Sequence, residues 1–123
     1  MYFQGVDMLQ RLLATFGRID GVQAAAVMDV DMNEIATFLT PELKGLQISH
    51  GLSDSLREAG RAASQASLGE LQQLWVESES GNLILAPLLG GFTLFVSSQG
   101  TSNIGRLRHE VQARTSVIED LLR

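Results

Sequence analysis

The chain has 123 residues, 45% of them apolar and 19% charged, with a formal net charge of −5 and no cysteine. That length suits one domain around one core, and the acidic balance excludes a basic nucleic-acid patch and charge-driven docking on an anionic membrane. The lack of cysteine excludes disulfides, thiol catalysis and thiolate metal sites, and no apolar run approaches the roughly 18 residues that span a bilayer.

The opening "MYFQG" lacks the basic region and apolar core of a signal peptide. It looks like the end of a protease-cleavable expression tag, so residues 1–5 are expected to be a tag remnant and residues 6–123 a single domain. Within 7–17, Leu9, Leu12, Leu13 and Phe16 define one face of a helix, with Gly17 as its stop. "RIDG" then turns the chain. "VQAAAVMDV" (22–30) and "EIATFLT" (34–40) predict two strands joined by "DMN", with Asn33 in the left-handed conformation. Pro41 ends the second strand.

A second helix follows in "GLSDSLREAGRAASQASLG". Its stripe is Leu52, Leu56, Ala59, Ala63 and Ala66, and Ser49 or Ser53 caps it. Asp54, Arg57, Glu58, Arg61 and Gln65 lie on its opposite face. Three strands are predicted near 70–78, 82–88 and 92–98, turned by "ESGN" and "LGGF", each with glycine for a positive φ. The last helix carries Ile104, Leu107, Val111, Ile118 and Leu122 as its stripe and Ser102 or Asn103 as its cap. The order is α-β-β-α-β-β-β-α. "AAAVM" and "LILA" are apolar on both faces, so the sheet needs a cover on each side. The expected fold is an α+β, α/β/α sandwich around a largely antiparallel five-stranded sheet.

Little in the chain carries chemistry. Lys44, the only lysine, has no glycine-rich cradle before it. Gly90-Gly91 sits between two strands rather than ahead of a helix, which predicts a hairpin turn and not a phosphate loop. Neither His50 nor His109 has a second ligand-type residue at metal spacing. Asp29 and Asp31 flank the first turn, where local hydrogen bonding is the expected role rather than cation binding. The serines form no nucleophile elbow. No enzymatic activity, cofactor or metal is expected.

Two features rise above this background. Ala59, Gly60, Ala62, Ala63 and Ala66 make the second helix narrow, for close packing on its own sheet, on a twin helix, or both. The segment 71–78 follows that helix and is a sheet edge rich in Leu71, Leu74, Trp75 and Val76. Such an edge must be paired or covered.

The element order, the hairpin "GVQAAAVMDVDMNEIA", the meander "LGELQQLWVESESGNLILAPLLGGFTLFVSSQG" and the helix start "NIGRLRHEV" resemble the Roadblock / dynein light chain family over about residues 6–123. Met32-Asn33 stands where many members carry glycine. The resemblance implies a profilin-like or longin-like sheet with one helix on one face and two on the other. It also implies a homodimer or heterodimer through joined edge strands and adjacent second helices, with Ala59, Ala62, Ala63, Ala66, Leu71, Leu74, Trp75 and Val76 at the interface. The implied function is a non-enzymatic scaffold or regulator of a small Ras-like GTPase, meeting its partner through Asp54, Arg57, Glu58, Arg61 and Gln65. Either arginine could reach the γ-phosphate as a finger, or both could position the partner's switch segments. The alternative is a constitutive assembly or cargo-adaptor subunit of dynein light chain type. A PAS-type small-molecule sensor ranks below both, since few polar groups are available for a pocket. A cytoplasmic location without direct membrane insertion is expected.

Overall fold

Alternation along the strands gives each side of the sheet its own cover. The computed structural model describes residues 3–40, 51–100 and 103–123. Strand β1 (Val22–Met28) is buried at all but one position. It pairs with β2 (Glu34–Leu39) on one side and β5 (Thr93–Gln99) on the other. β5 pairs in turn with β4 (Gly81–Pro87), and β4 with β3 (Leu74–Ser78). Every pairing is antiparallel, and the sheet runs β2-β1-β5-β4-β3. β2 and β3 are therefore its edges.

Ala25, Val27, Ile84, Ala86, Leu94 and Val96 point to one face. There α1 (Phe3–Ala14) and α3 (Ile104–Leu122) bury Leu9, Leu13, Leu107, Val111 and Ile118 against them. Ala24, Ala26, Met28, Leu85 and Phe95 point to the other face, under α2 (Gly51–Gln65), which among the described residues supplies Leu52 and Leu56. A fully buried aliphatic side chain contributes about 1.5–3 kcal/mol, so the two-helix face holds most of the core. The expected α/β/α sandwich, with one helix on one face and two on the other, is the architecture observed.

The boundaries differ from expectation in instructive places. α1 begins at Phe3, inside the tag-like opening, and ends at Ala14 in a 3-10 turn, Thr15–Arg18. Gly17 is no left-handed stop. It lies in that turn, where a Cβ would come within 2.7 Å of the Phe38 ring, so glycine lets the turn approach β2. In the first hairpin Met32, not Asn33, takes the positive φ of 63°. Asn33 is engaged instead with Asp29: its carbonyl accepts from the Asp29 N–H at 2.9 Å. β1 stops at Met28 after a bulge against β2, and β3 begins at Leu74, so 70–73 precede the strand. Gly81 has no positive φ, since it is already in β4 opposite Ser78. Gly90 and Gly91 do, at 75° and 82°. Asn103 caps α3, accepting from the Arg106 N–H at 3.0 Å. Pro41, Ser49 and Ser102 lie outside the described residues, as does the side chain of Ser53.

Candidate functional site

Polar groups on the sheet and its turns serve structure. The Asp29 carboxylate accepts from the backbone N–H of Asp31 at 2.9 Å and of Asn33 at 3.0 Å. The hydrogen bond from the Asn33 N–H holds its carboxyl below the usual range, outweighing the opposing effect of desolvation, with a lesser contribution from the Asp31 N–H. Asp29 thus works as the staple of the first turn. Gly90 and Gly91 form the β4–β5 turn, closed by the Leu88 N–H on the Phe92 carbonyl at 2.8 Å. His109 is exposed on α3, while Lys44 and His50 lie outside the described residues. No group of three or more His, Asp or Glu side chains suited to a metal occurs among the described residues. Nor is any described helix long and apolar enough to cross a membrane.

The surface around α2 and β3 is different. Among its described side chains α2 has none fully buried: Leu52, Leu56, Ala59 and Ala63 are half-buried and Ala62 is exposed, as is Ala66 in the turn just past the helix. Asp54, Arg57, Glu58, Arg61 and Gln65 are exposed along the helix. Arg57 pairs with Asp54 at 3.1 Å and Arg61 with Glu58 at 2.9 Å. Pairs this exposed contribute about 0–1 kcal/mol to stability, so their charges remain available to a partner.

β3 brings together some of the expected interface residues and separates another. Leu74 and Val76 lie opposite Leu85 and Leu83, and Leu74 packs on the α2 side of the sheet. Val76 is 44% exposed. Trp75 turns to the other face, against the two-helix core, with Arg108 of α3 5.5 Å from its ring centroid and its indole N–H donating to Gln73 at 2.7 Å. Leu71, ahead of the strand, lines an open groove of about 670 Å³ shared with Val30, Met32, Leu56, Gly60 and Pro87. Leu71 and Leu74 therefore lie on the α2 side of the sheet, and Trp75 on its reverse.

Sequence reasoning missed a second apolar surface. Met8 and Val117, 47% and 46% exposed, flank a groove between α1 and α3. Both fall off their helices' core stripes, so periodicity alone assigns them to solvent.

At the sequence level, no family model and no curated protein matches the chain. Similarity appears in three dimensions. The gliding protein MglB from Thermus thermophilus superposes with a TM-score of 0.83 over 98% of this chain and 93% of its own, at 12% identity. A Roadblock/LC7 domain from Streptomyces avermitilis gives 0.72 over 92% and 96%, at 18% identity. Profilin IA from Acanthamoeba castellanii gives 0.62 over 93% and 95%, at 16% identity. Identities this low mark a shared fold, and the coverage extends that fold over nearly the whole chain.

Proposed function

We propose that this chain, which carries the fold of MglB and the Roadblock/LC7 domains, is a non-enzymatic dimeric scaffold that binds a small Ras-like GTPase and modulates its nucleotide cycle or location. The observation that carries the reading is the β3 edge. It ends the sheet beside a half-buried Leu74 and a helix with no fully buried described side chain. A second copy, set β3 to β3 about a two-fold axis, would continue the sheet and cover both apolar margins. The two α2 helices would then lie side by side, with Ala59, Ala62, Ala63 and Ala66 permitting close approach. The buried area expected is about 1,200–2,000 Å² or more, the range of stable complexes.

The paired α2 helices present two copies of Asp54, Arg57, Glu58, Arg61 and Gln65 to the GTPase. The platform acts by holding the partner's switch segments in one of their conformations. Sedimentation equilibrium tests the first step and should give twice the chain mass at micromolar concentration; a monomer overturns it. Titration against a Ras-like GTPase loaded with GTP or with GDP tests the second and should give unequal affinities. Equal affinities would favour the constitutive adaptor instead.

A further inference from the structure

The two edges of the sheet are not alike. In the register of β2 on β1, Ala36 lies opposite Val27 and Phe38 opposite Ala25, and Thr40 donates its N–H to the Gln23 carbonyl at 2.9 Å. Backbone bonding alternates along an antiparallel edge strand, so the N–H and C=O of Thr37 face away from the sheet. Gln10 of α1 meets both. The Thr37 N–H donates to Gln10 Oε1 at 3.1 Å, and Gln10 Nε2 donates to the Thr37 carbonyl. A primary amide offers one acceptor and one donor side by side, the same pair a neighbouring strand would offer. Glu34 adds a charge to this edge, its carboxylate accepting from the Thr37 hydroxyl at 3.0 Å. β3 has no counterpart of this clip among the described residues.

We infer that Gln10 closes the β2 edge to a second strand, so that strand pairing between copies is confined to β3 and stops at two. The inference rests on the pairing through β3 proposed above. A sheet with two open edges can add copies at both ends without limit; one open edge yields a closed two-fold pair. Gln10 therefore sets the stoichiometry of the scaffold although it lies on the opposite margin of the sheet.

The test is Gln10→Ala in the full chain, followed by sedimentation velocity across a concentration series. The average mass of the variant should climb past that of the parent as concentration rises. Adding Thr37→Pro should return it to the parent value, because proline removes the outward N–H an incoming strand needs while leaving the β1 ladder intact. Gln10→Asn, which keeps the amide but shortens its reach, should behave as Gln10→Ala does and serves if that variant misfolds. Exchange of the Thr37 amide should be about fivefold to tenfold slower in the parent than in either variant, as loss of one ordinary hydrogen bond implies. Variants that keep the parent mass at every concentration overturn the inference, as does a Thr37 amide that exchanges equally fast in parent and variant. The parent mass alone reports on β3. If the parent is a single chain, pairing through β3 fails, and association gained only by the variants still supports the role of Gln10.

Discussion

The guanidinium of Arg114 lies 4.9 Å from the centroid of the Phe16 ring. The same group donates to the Thr15 hydroxyl at 3.0 Å and to the Glu110 carboxylate, while Thr15 donates to the Leu12 carbonyl at 2.6 Å. One side chain of α3 thus fastens the end of α1. Arg114→Ala should lower stability by about 1–2 kcal/mol through the lost ring contact, stem packing and hydrogen bonds. Urea unfolding should show a lower midpoint with an unchanged slope.

Two carboxylates should make stability depend on acid. The hydrogen bond from Arg114 holds the Glu110 carboxyl below its usual range, and the Asn33 N–H does the same for Asp29. A native value below the unfolded one means that the unfolded chain binds more protons, so stability rises with pH through that interval. The contribution is complete above the ordinary carboxylate range and fades as pH falls through the native values. Asp29→Asn with Glu110→Gln should flatten the acid limb of a plot of unfolding midpoint against pH. A limb of parental steepness would assign the acid sensitivity to other groups.

Gly81→Ala and Gly60→Ala should have opposite signs. A Cβ on Gly81 would come within 2.6 Å of the Ser98 carbonyl oxygen, which is backbone and cannot step aside. Crowding of that kind costs about 1–3 kcal/mol. A Cβ on Gly60, inside α2, meets nothing within 4 Å, and alanine is favoured over glycine in a helix by about 0.5–1 kcal/mol. Thermal unfolding of the two variants side by side reads the difference.

Leu74→Asp should shift the chain toward monomer, since the carboxylate would have to enter a desolvated strand pairing. A variant that sediments as the parent does would remove Leu74 from the interface.

Arg57→Ala combined with Arg61→Ala should change folding stability by less than about 0.5 kcal/mol, as exposed substitutions generally do, and leave the proposed dimer intact. Binding to the proposed Ras-like GTPase partner should weaken. If saturating double variant restores the hydrolysis rate, the arginines position the partner; if the rate stays depressed, one of them acts as a finger. Unchanged affinity and rate would move the contact to the α1–α3 face around Met8 and Val117.

Much of the architecture was legible because it follows from periodicity. Leu107, Val111 and Ile118 repeat at helical spacing and are all buried. Asn103 stands three residues before the N–H it caps. The turns failed where a side chain outcompeted a backbone preference. Asn33 tolerates positive φ well, yet its N–H is held by Asp29, and the left-handed position passes to Met32. Leu74, Trp75 and Val76 read as one apolar run, but strand alternation sends Trp75 to the reverse of the sheet. Gln10 could not have been found from the sequence, because its partner is 27 residues away and meets it only once α1 has packed beside β2.

The strand order also has a consequence for how the chain is made. β1 and β5 are neighbours at the middle of the sheet, although β2, α2, β3 and β4 are all made between them. The β1–β2 hairpin and the β3–β4–β5 meander can each close locally, but joining them waits on a distant contact, the slow kind. A nascent chain not yet past Gln99 holds β1 with its inner margin bare and Ala25 and Val27 without their Val96 and Leu94 partners. Commitment to the fold therefore waits until β5 has been made. A chain cut short before β5 leaves two unfinished pieces of sheet, the kind of species that chaperones bind and that otherwise aggregates.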